Sequence, residues 1–180
     1  MTEKQTIRKR VAELKSIVSR EQMQAEADAV FSAIELDPVF YAATKVLAYW
    51  SLPDELPTHN WIKKWSAEKE FYLPVVDGND MKIKRLMSVR ALRTGTYGIN
   101  EPAGEDFYEG ELDLIIVPGV AFDRNRNRLG RGKGFYDRFF IHSNAPKYGV
   151  SANCQLIDCL PIDFFDVKMD KVFTPTVILE

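Results

Sequence analysis

Residues 123–137 read Asp-Arg-Asn-Arg-Asn-Arg-Leu-Gly-Arg-Gly-Lys-Gly-Phe-Tyr-Asp. Three glycines at alternate positions, Gly130, Gly132 and Gly134, let the backbone approach a ligand closely and take positive φ where a turn needs it. Successive amide N–H groups in such a loop form an anion-binding nest, and a helix starting just afterwards adds its positive N-terminal end. Arg128, Arg131 and Lys133 bring cations to the same place, and a guanidinium grips phosphate oxygens bidentately. This chemistry suits a polyphosphate; the plain alternative is a solvated turn tying a strand to a helix. The loop is neither of the two common phosphate fingerprints. Gly132-Lys133 is followed by Gly134 where a P-loop has Ser or Thr, and the glycine spacing is G-x-G-x-G, not G-x-G-x-x-G. Asp137, just past the loop, has two readings: a carboxylate holding Mg²⁺ that bridges phosphate oxygens, or a first-turn aspartate favoured by the helix dipole. His59 and His142 show no metal-ligand spacing, and no Ser/His/Asp or Cys/His constellation is legible.

The elements that must carry this loop follow from periodicity. Residues 2–19 predict an amphipathic helix with Ile7, Val11, Leu14 and Val18 on its apolar face. Ser19 caps a second helix that buries Met23, Ala27, Val30, Phe31 and Ile34, and Asp37-Pro38 ends it. Residues 45–50 predict a buried strand closed by the turn Pro53-Asp54-Glu55. Thr58 is the expected N-cap of a short helix with Trp61, Ile62 and Trp65, the tryptophans read as core or pocket wall. Strands are expected at 71–76 and 81–86 around the turn 77–80. Residues 93–110 have no clear period and read as one long loop, a candidate lid. The apolar run 112–117 predicts a central strand covered on both faces. After the glycine loop, residues 136–142 predict a helix, and 149–152 and 172–178 late strands. Alternating helices and strands without repeat or linker predict one domain over residues 1–180, an α/β/α three-layer sandwich around a mixed, mostly parallel sheet.

Composition bounds the function. The chain has 180 residues with 46% hydrophobic and 28% charged, which suits one globular core and excludes a disordered or fibrous chain. Twenty-four Lys and Arg against 26 Asp and Glu leave a net charge of −2, which favours neither nucleic acid nor an anionic membrane. The basic cluster at 124–133 alone does not make a nucleic-acid protein. No apolar run approaches the roughly 18 residues of a spanning helix. Cys154 and Cys159, with no secretory leader, read as reduced thiols of a cytoplasmic protein.

The run Val117-Pro118-Gly119-Val120-Ala121-Phe122-Asp123, followed by residues 128–137, closely resembles the signature of the 5-formyltetrahydrofolate cyclo-ligase family. The resemblance extends to Lys4 and Arg8, residues 49–55, Leu73-Pro74 with Met81, residues 98–102, and Asp166 with Asp170-Lys171-Val172. The central motif is highly specific; the others are individually weak but occur in the family's order. The resemblance implies conversion of 5-formyltetrahydrofolate to 5,10-methenyltetrahydrofolate with ATP as co-substrate and Mg²⁺ as metal, releasing ADP and phosphate. A formamide carbon is a poor electrophile, so the γ-phosphoryl group is first moved to the formyl oxygen. N10 then closes the ring and expels phosphate, a task of positioning and charge stabilisation.

By the same resemblance Lys4, Arg8, Arg128, Leu129, Gly130, Arg131, Gly132, Lys133, Gly134, Phe135 and Tyr136 bind ATP, with Arg131 and Lys133 catalytic. Asp137 and Asp166 hold the metal, and Trp50, Glu55, Met81 and Tyr136 contact the folate. Each has a structural rival: Lys4 and Arg8 as a solvated helix face, Trp50 as core, Glu55 as a surface turn, Asp166 as a loop residue bonding nearby amides. Two positions depart from the family pattern. Arg126 stands where a glycine is usual, an expected extra contact to phosphate or folate tail, and Phe165 stands where a histidine is common. The expected partners are small molecules only, on a monomer. The alternatives are a binding module without turnover and a phosphotransferase acting on another formamide.

Overall fold

The computed structural model describes residues 1–104 and 106–180. Its elements in chain order are α1 (Glu3–Ser16), α2 (Arg20–Glu35), α3 (Pro38–Ala42), β1 (Lys45–Leu47), α4 (His59–Trp65), β2 (Glu70–Asp77), β3 (Asp80–Arg85), β4 (Leu92–Thr94) and β5 (Asn100–Pro102). There follow β6 (Leu114–Pro118), β7 (Ala121–Asp123), β8 (Arg128–Leu129), α5 (Phe135–Phe140), β9 (Lys147–Val150), β10 (Leu156–Ile157), β11 (Lys171–Phe173) and β12 (Ile178–Leu179).

The main sheet runs β12-β11-β9-β6-β1-β2-β3. Its five inner strands are parallel, and β12 and β3 pair antiparallel at the edges. The apolar run of β6 explains its central place. Leu114 and Ile116 join one core cluster with Val30, Ile34, Phe40 and Trp61 of the helices α2, α3 and α4, while Ile115 and Val117 join a second with Phe122 and Phe140. A strand apolar on both faces is stable only between two layers. The second outer layer is α5 together with a small sheet, β10-β7-β8, against which α1 packs through Val11. This is the expected three-layer α/β arrangement, with part of one outer layer built from strands. Among the described residues no helix is long and apolar enough to cross a membrane, and both cysteines are free.

Several local expectations are corrected. Asp37-Pro38 ends α2 but also starts α3: Asp37 accepts the Val39 N–H at 2.9 Å, and Pro38, lacking a donor, suits a first helical position. Thr58 precedes α4 without capping it, because its hydroxyl donates to the Tyr49 carbonyl at 2.7 Å. The 45–50 strand is regular only over Lys45–Leu47, with one further bond from the Ala48 N–H to the Tyr72 carbonyl at 3.0 Å, and α5 begins and ends earlier than 136–142. The strand expected at 149–152 is β9, two residues earlier, and the 172–178 strand is two antiparallel strands, β11 and β12. Of the stripe on α1, Val11 is buried and Leu14 is exposed. The 93–110 stretch is not one loop. Residues 100–102 form β5, paired antiparallel with β4, and the Val76 N–H donates to Glu101 Oε1 at 3.1 Å, fastening the hairpin to the main sheet. Three-residue strands carry too few alternations for a period to be read. Glu105 lies outside the described residues.

Candidate active site

The chain leaves β1 to build β2 on one side and returns to place β6 on the other, so the order reverses between β1 and β6. Open parallel sheets bind ligands just past the carboxyl ends of strands at such a switch point. A cavity of about 500 Å³ lies there, lined by Tyr49 and Trp50 past β1 and by Pro118, Gly119 and Val120 at the end of β6. The β7–β8 hairpin turns the chain back and delivers residues 130–134 to the same cavity.

The glycine loop bends where glycine permits it: Gly132 has φ +101° and Gly134 φ +67°, the latter at the N-cap of α5. A Cβ on Gly132 would sit 3.5 Å from the Arg8 guanidinium, so α1 lies close over the loop. Arg8 Nε donates to the Gly130 carbonyl at 2.8 Å, which joins residues 122 positions apart. One helical turn earlier, Lys4 Nζ lies 2.7 Å from Asp163 Oδ2 and 2.5 Å from Asp166 Oδ2. Burial pulls the Lys4 pKa down, but these two carboxylates outweigh it and hold it above its ordinary value. Because α5 has only six residues, the side-chain cations carry the positive potential here more than a helix dipole does.

The three loop cations differ. Arg128 is buried; its Nη2 donates to both Asp137 oxygens at 3.1 Å, its Nη1 to the Pro118 carbonyl at 3.3 Å, and its Cζ lies 5.3 Å from the Tyr136 ring centre. Arg131 is half exposed and reaches across the cavity mouth, 2.7 Å from Asp54 Oδ1 and 3.1 Å from Glu55 Oε1. Lys133 is exposed, makes no ion pair among the described residues, and lies 5.6 Å from the Tyr97 ring centre. The Tyr136 hydroxyl is buried with no hydrogen-bond partner among the described residues, and burial, with the nearby Glu55 charge, pushes its pKa well above the usual range.

The opposite wall comes from the turn after β1 and from β2 and β3. Glu55 Oε2 accepts the Leu52 N–H at 2.9 Å, which fixes the carboxylate at the rim. Trp50 is only 9% exposed, and His59 covers one face of its indole, the rings 4.1 Å apart and 16° from parallel. It is therefore core and cavity wall at once. Met81 of β3 is buried and also reaches the lining.

Every site residue anticipated from the sequence borders this one cavity: Lys4, Arg8, Trp50, Glu55, Met81, residues 128–137 and Asp166. Arg126 does not. It keeps the left-handed turn expected of glycine, with φ +67°, and its Nη1 donates to the Asp170 carbonyl at 2.8 Å, outside the cavity lining where a phosphate or folate-tail contact was expected. The sequence reading missed Asp163, Tyr97, Ile99 and Asn100 as lining residues. The only signal for Ile99 and Asn100 was the segment 98–102, noted without a role, and Tyr97 directly precedes it.

Asp137 and Asp166 each already hold a cation of the chain, Arg128 and Lys4. Among the described residues no group of three or more His, Cys, Asp and Glu is arranged to hold a metal unaided.

The fold and this cleft define an α/β protein in which a cationic glycine loop and a carboxylate–aromatic wall face one cavity at the sheet's switch point. The sequence model of the 5-formyltetrahydrofolate cyclo-ligase family matches residues 1–175. The Caenorhabditis elegans probable 5-formyltetrahydrofolate cyclo-ligase is 33% identical, with 86% of this chain and 84% of that protein covered. The Escherichia coli K12 5-formyltetrahydrofolate cyclo-ligase is 30% identical, with 92% and 96% covered. The solution structure of Aquifex aeolicus 5,10-methenyltetrahydrofolate synthetase superposes with a TM-score of 0.89 at 33% identity, covering 98% of this chain and 92% of that one. The chain belongs to the 5-formyltetrahydrofolate cyclo-ligase family and is a ligase of that kind.

Proposed function

We propose that this chain uses ATP to phosphorylate the formyl oxygen of 5-formyltetrahydrofolate and then lets N10 close the ring to 5,10-methenyltetrahydrofolate, releasing ADP and phosphate. One observation carries the reading: the glycine loop with Lys133 and the Trp50–Glu55–Met81 wall border the same cavity. Phosphoryl transfer needs donor and acceptor in line and in contact, and a shared cavity meets that need.

In this reading the backbone amides of residues 130–134 and the side chains of Lys4 and Arg8 bind the phosphates. Lys133, free of any carboxylate among the described residues, stabilises charge on the group in flight. Arg131 joins it once folate engages Glu55, its present partner. The Glu55 carboxylate accepts the pterin ring N–H groups, while Trp50, Met81 and Tyr136 bound the ring space. Exclusion of water by this wall protects the phosphorylated intermediate from hydrolysis.

Mg²⁺ ordinarily binds proteins through one or two carboxylates, with substrate phosphates and water completing the octahedron. Asp137, a carboxylate at the loop with only one Arg128 nitrogen on it, fits that pattern, with Asp166 as a second carboxylate. The ion, when bound, neutralises phosphate charge. We place the chain in the cytoplasm, working as a monomer.

The test is to mix the protein with ATP, Mg²⁺ and 5-formyltetrahydrofolate and watch the near ultraviolet. A new band from the extended methenyl chromophore is expected, with one ADP released per product. ADP release without the band would favour a phosphotransferase on another formamide. Neither signal would leave a binding module. Arg126, which departs from the family's usual glycine, keeps the loop's turn and gives a module without turnover no support.

A further inference from the structure

Asp163 and Asp166 both border the cavity, and the Asp166 N–H donates to the Asp163 carbonyl at 3.0 Å, closing a tight turn whose central residues are Phe164 and Phe165. Gly, Asn, Asp and Pro usually fill such positions. Here two phenylalanines stand out into solvent, 95% and 76% exposed, their ring centres 5.4 Å apart and nearly perpendicular at 84°. Exposed aromatic area of this kind forfeits burial that the rest of the fold obtains, so it points to an occupant.

The turn is not a loose tip. Lys4 of α1 binds both of its carboxylates, and Asp166 Oδ2 also takes the Asp163 N–H at 2.7 Å. The same helix, one turn later, holds the glycine loop through Arg8 and the Gly130 carbonyl. Thus α1 bridges the phosphate loop at Arg8 and the aromatic turn at Lys4. Tyr97, another exposed aromatic ring at the cavity, belongs to the Lys133 and Phe135 side, 5.6 Å and 6.4 Å away.

We infer that Phe164 and Phe165 form a stacking platform for the purine base of the nucleotide, a specificity determinant at the rim of the site. The inference rests on the ATP reading above. With the terminal phosphates on residues 130–134, the nucleotide runs along α1 past Lys4, and its flat base stacks on the face of one ring and meets the edge of the other, the two being 84° apart. A purine gains more than a pyrimidine because its π face is larger, and stacking tolerates either purine.

Calorimetric titration tests this with a non-hydrolysable ATP analogue, its pyrimidine counterpart and inorganic tripolyphosphate. The proteins are wild type, the Phe164→Ala/Phe165→Ala double variant and Phe165→Trp, with melting temperature as a folding control. Base–aromatic stacking typically supports a loss of about tenfold in affinity on truncation. The double variant should lose about that factor for the ATP analogue and nothing for tripolyphosphate, and Phe165→Trp should bind at least as well as wild type. An unchanged affinity for the ATP analogue in the double variant overturns the platform alone. So do equal losses for both ligands, or a wild type indifferent to base size. If sedimentation shows that the double variant merely abolishes self-association, the rings serve a contact between copies, and the inference is again overturned. A wild type that binds no ATP analogue at all brings down the ATP reading first, and the platform with it.

Discussion

Arg128 and Lys133 stand five residues apart, and replacing each with alanine should give opposite signatures. The Arg128 side chain is 4% exposed and spends its guanidinium on Asp137 and the Pro118 carbonyl. Its Nε has no partner among the described residues, a cost already carried by the fold. Removing one member of a buried ion pair costs about 3–5 kcal/mol, since the other charge is stranded. Asp137 is 20% exposed at the cavity edge, so water recovers part of that, and about 2–3 kcal/mol should remain. At about 2–4 °C per kcal/mol for a chain of this length, the melting temperature should fall by roughly 5–10 °C. Lys133 is exposed and unpaired among the described residues. Its removal should move stability by no more than about 0.5 kcal/mol while lowering kcat about 10²–10³-fold, as loss of one preorganised donor to a developing oxyanion does. Thermal and urea unfolding, run beside methenyl product formation at saturating substrates, measure both quantities. An unchanged melting temperature in Arg128→Ala, or a Lys133→Ala variant that loses stability and rate together, would refute the division into a buried structural cation and an exposed functional one.

Two further outcomes are expected. Asp37 is buried and accepts bonds from Lys171 Nζ (3.0 Å), the Tyr148 hydroxyl (2.8 Å) and the Val39 N–H (2.9 Å). Burial pushes its pKa up, but those partners outweigh it and hold the carboxyl below its ordinary value. Its contribution is therefore complete above the unfolded pKa of about 3.9 and is lost as pH falls through the lower folded value. Asp37→Asn should cost about 1.5–3 kcal/mol at pH 7, and its curve of stability against pH should begin to approach wild type only below about pH 4 and meet it once pH has fallen through the lowered folded pKa; parallel curves would contradict this. Glu55→Gln should raise the folate KM by about tenfold or more, the worth of one charged hydrogen bond. It should shift nucleotide affinity less than about twofold, because Arg131 keeps its 2.7 Å contact to Asp54 and the exposed pair contributes little. Equal losses of both affinities would assign Glu55 another task.

Much of the fold was legible where a local pattern is long enough to be periodic. The apolar face of α2, with Ala27, Val30, Phe31 and Ile34 buried, and the two-sided burial of β6 both follow from spacing. The β4–β5 hairpin was not legible, because its strands are three residues each and its place is set by contacts to β2 such as Val76 to Glu101. Trp50 shows a different limit. Residue type read it as core and the family resemblance as a folate contact; the structure buries it, sets it in the cavity lining and lays His59, a residue given no role, across one face. Arg126 shows a third. Its side chain suggested a ligand contact, while its backbone does the work of the usual glycine and its guanidinium goes to Asp170.

Residue types and their order were enough to predict a glycine-rich basic loop, a parallel sheet to hold it, and a family resemblance running from Lys4 to Asp166. Only the tertiary structure decided which charges are available. It buried Arg128 under Asp137, tied Arg131 to Glu55 across 76 residues and Lys4 to Asp166 across 162, and left Lys133 without such a partner among the described residues. The physical reason is that a cation's chemistry depends on its solvent and its nearest opposite charge, and both are set by packing between elements far apart in the chain.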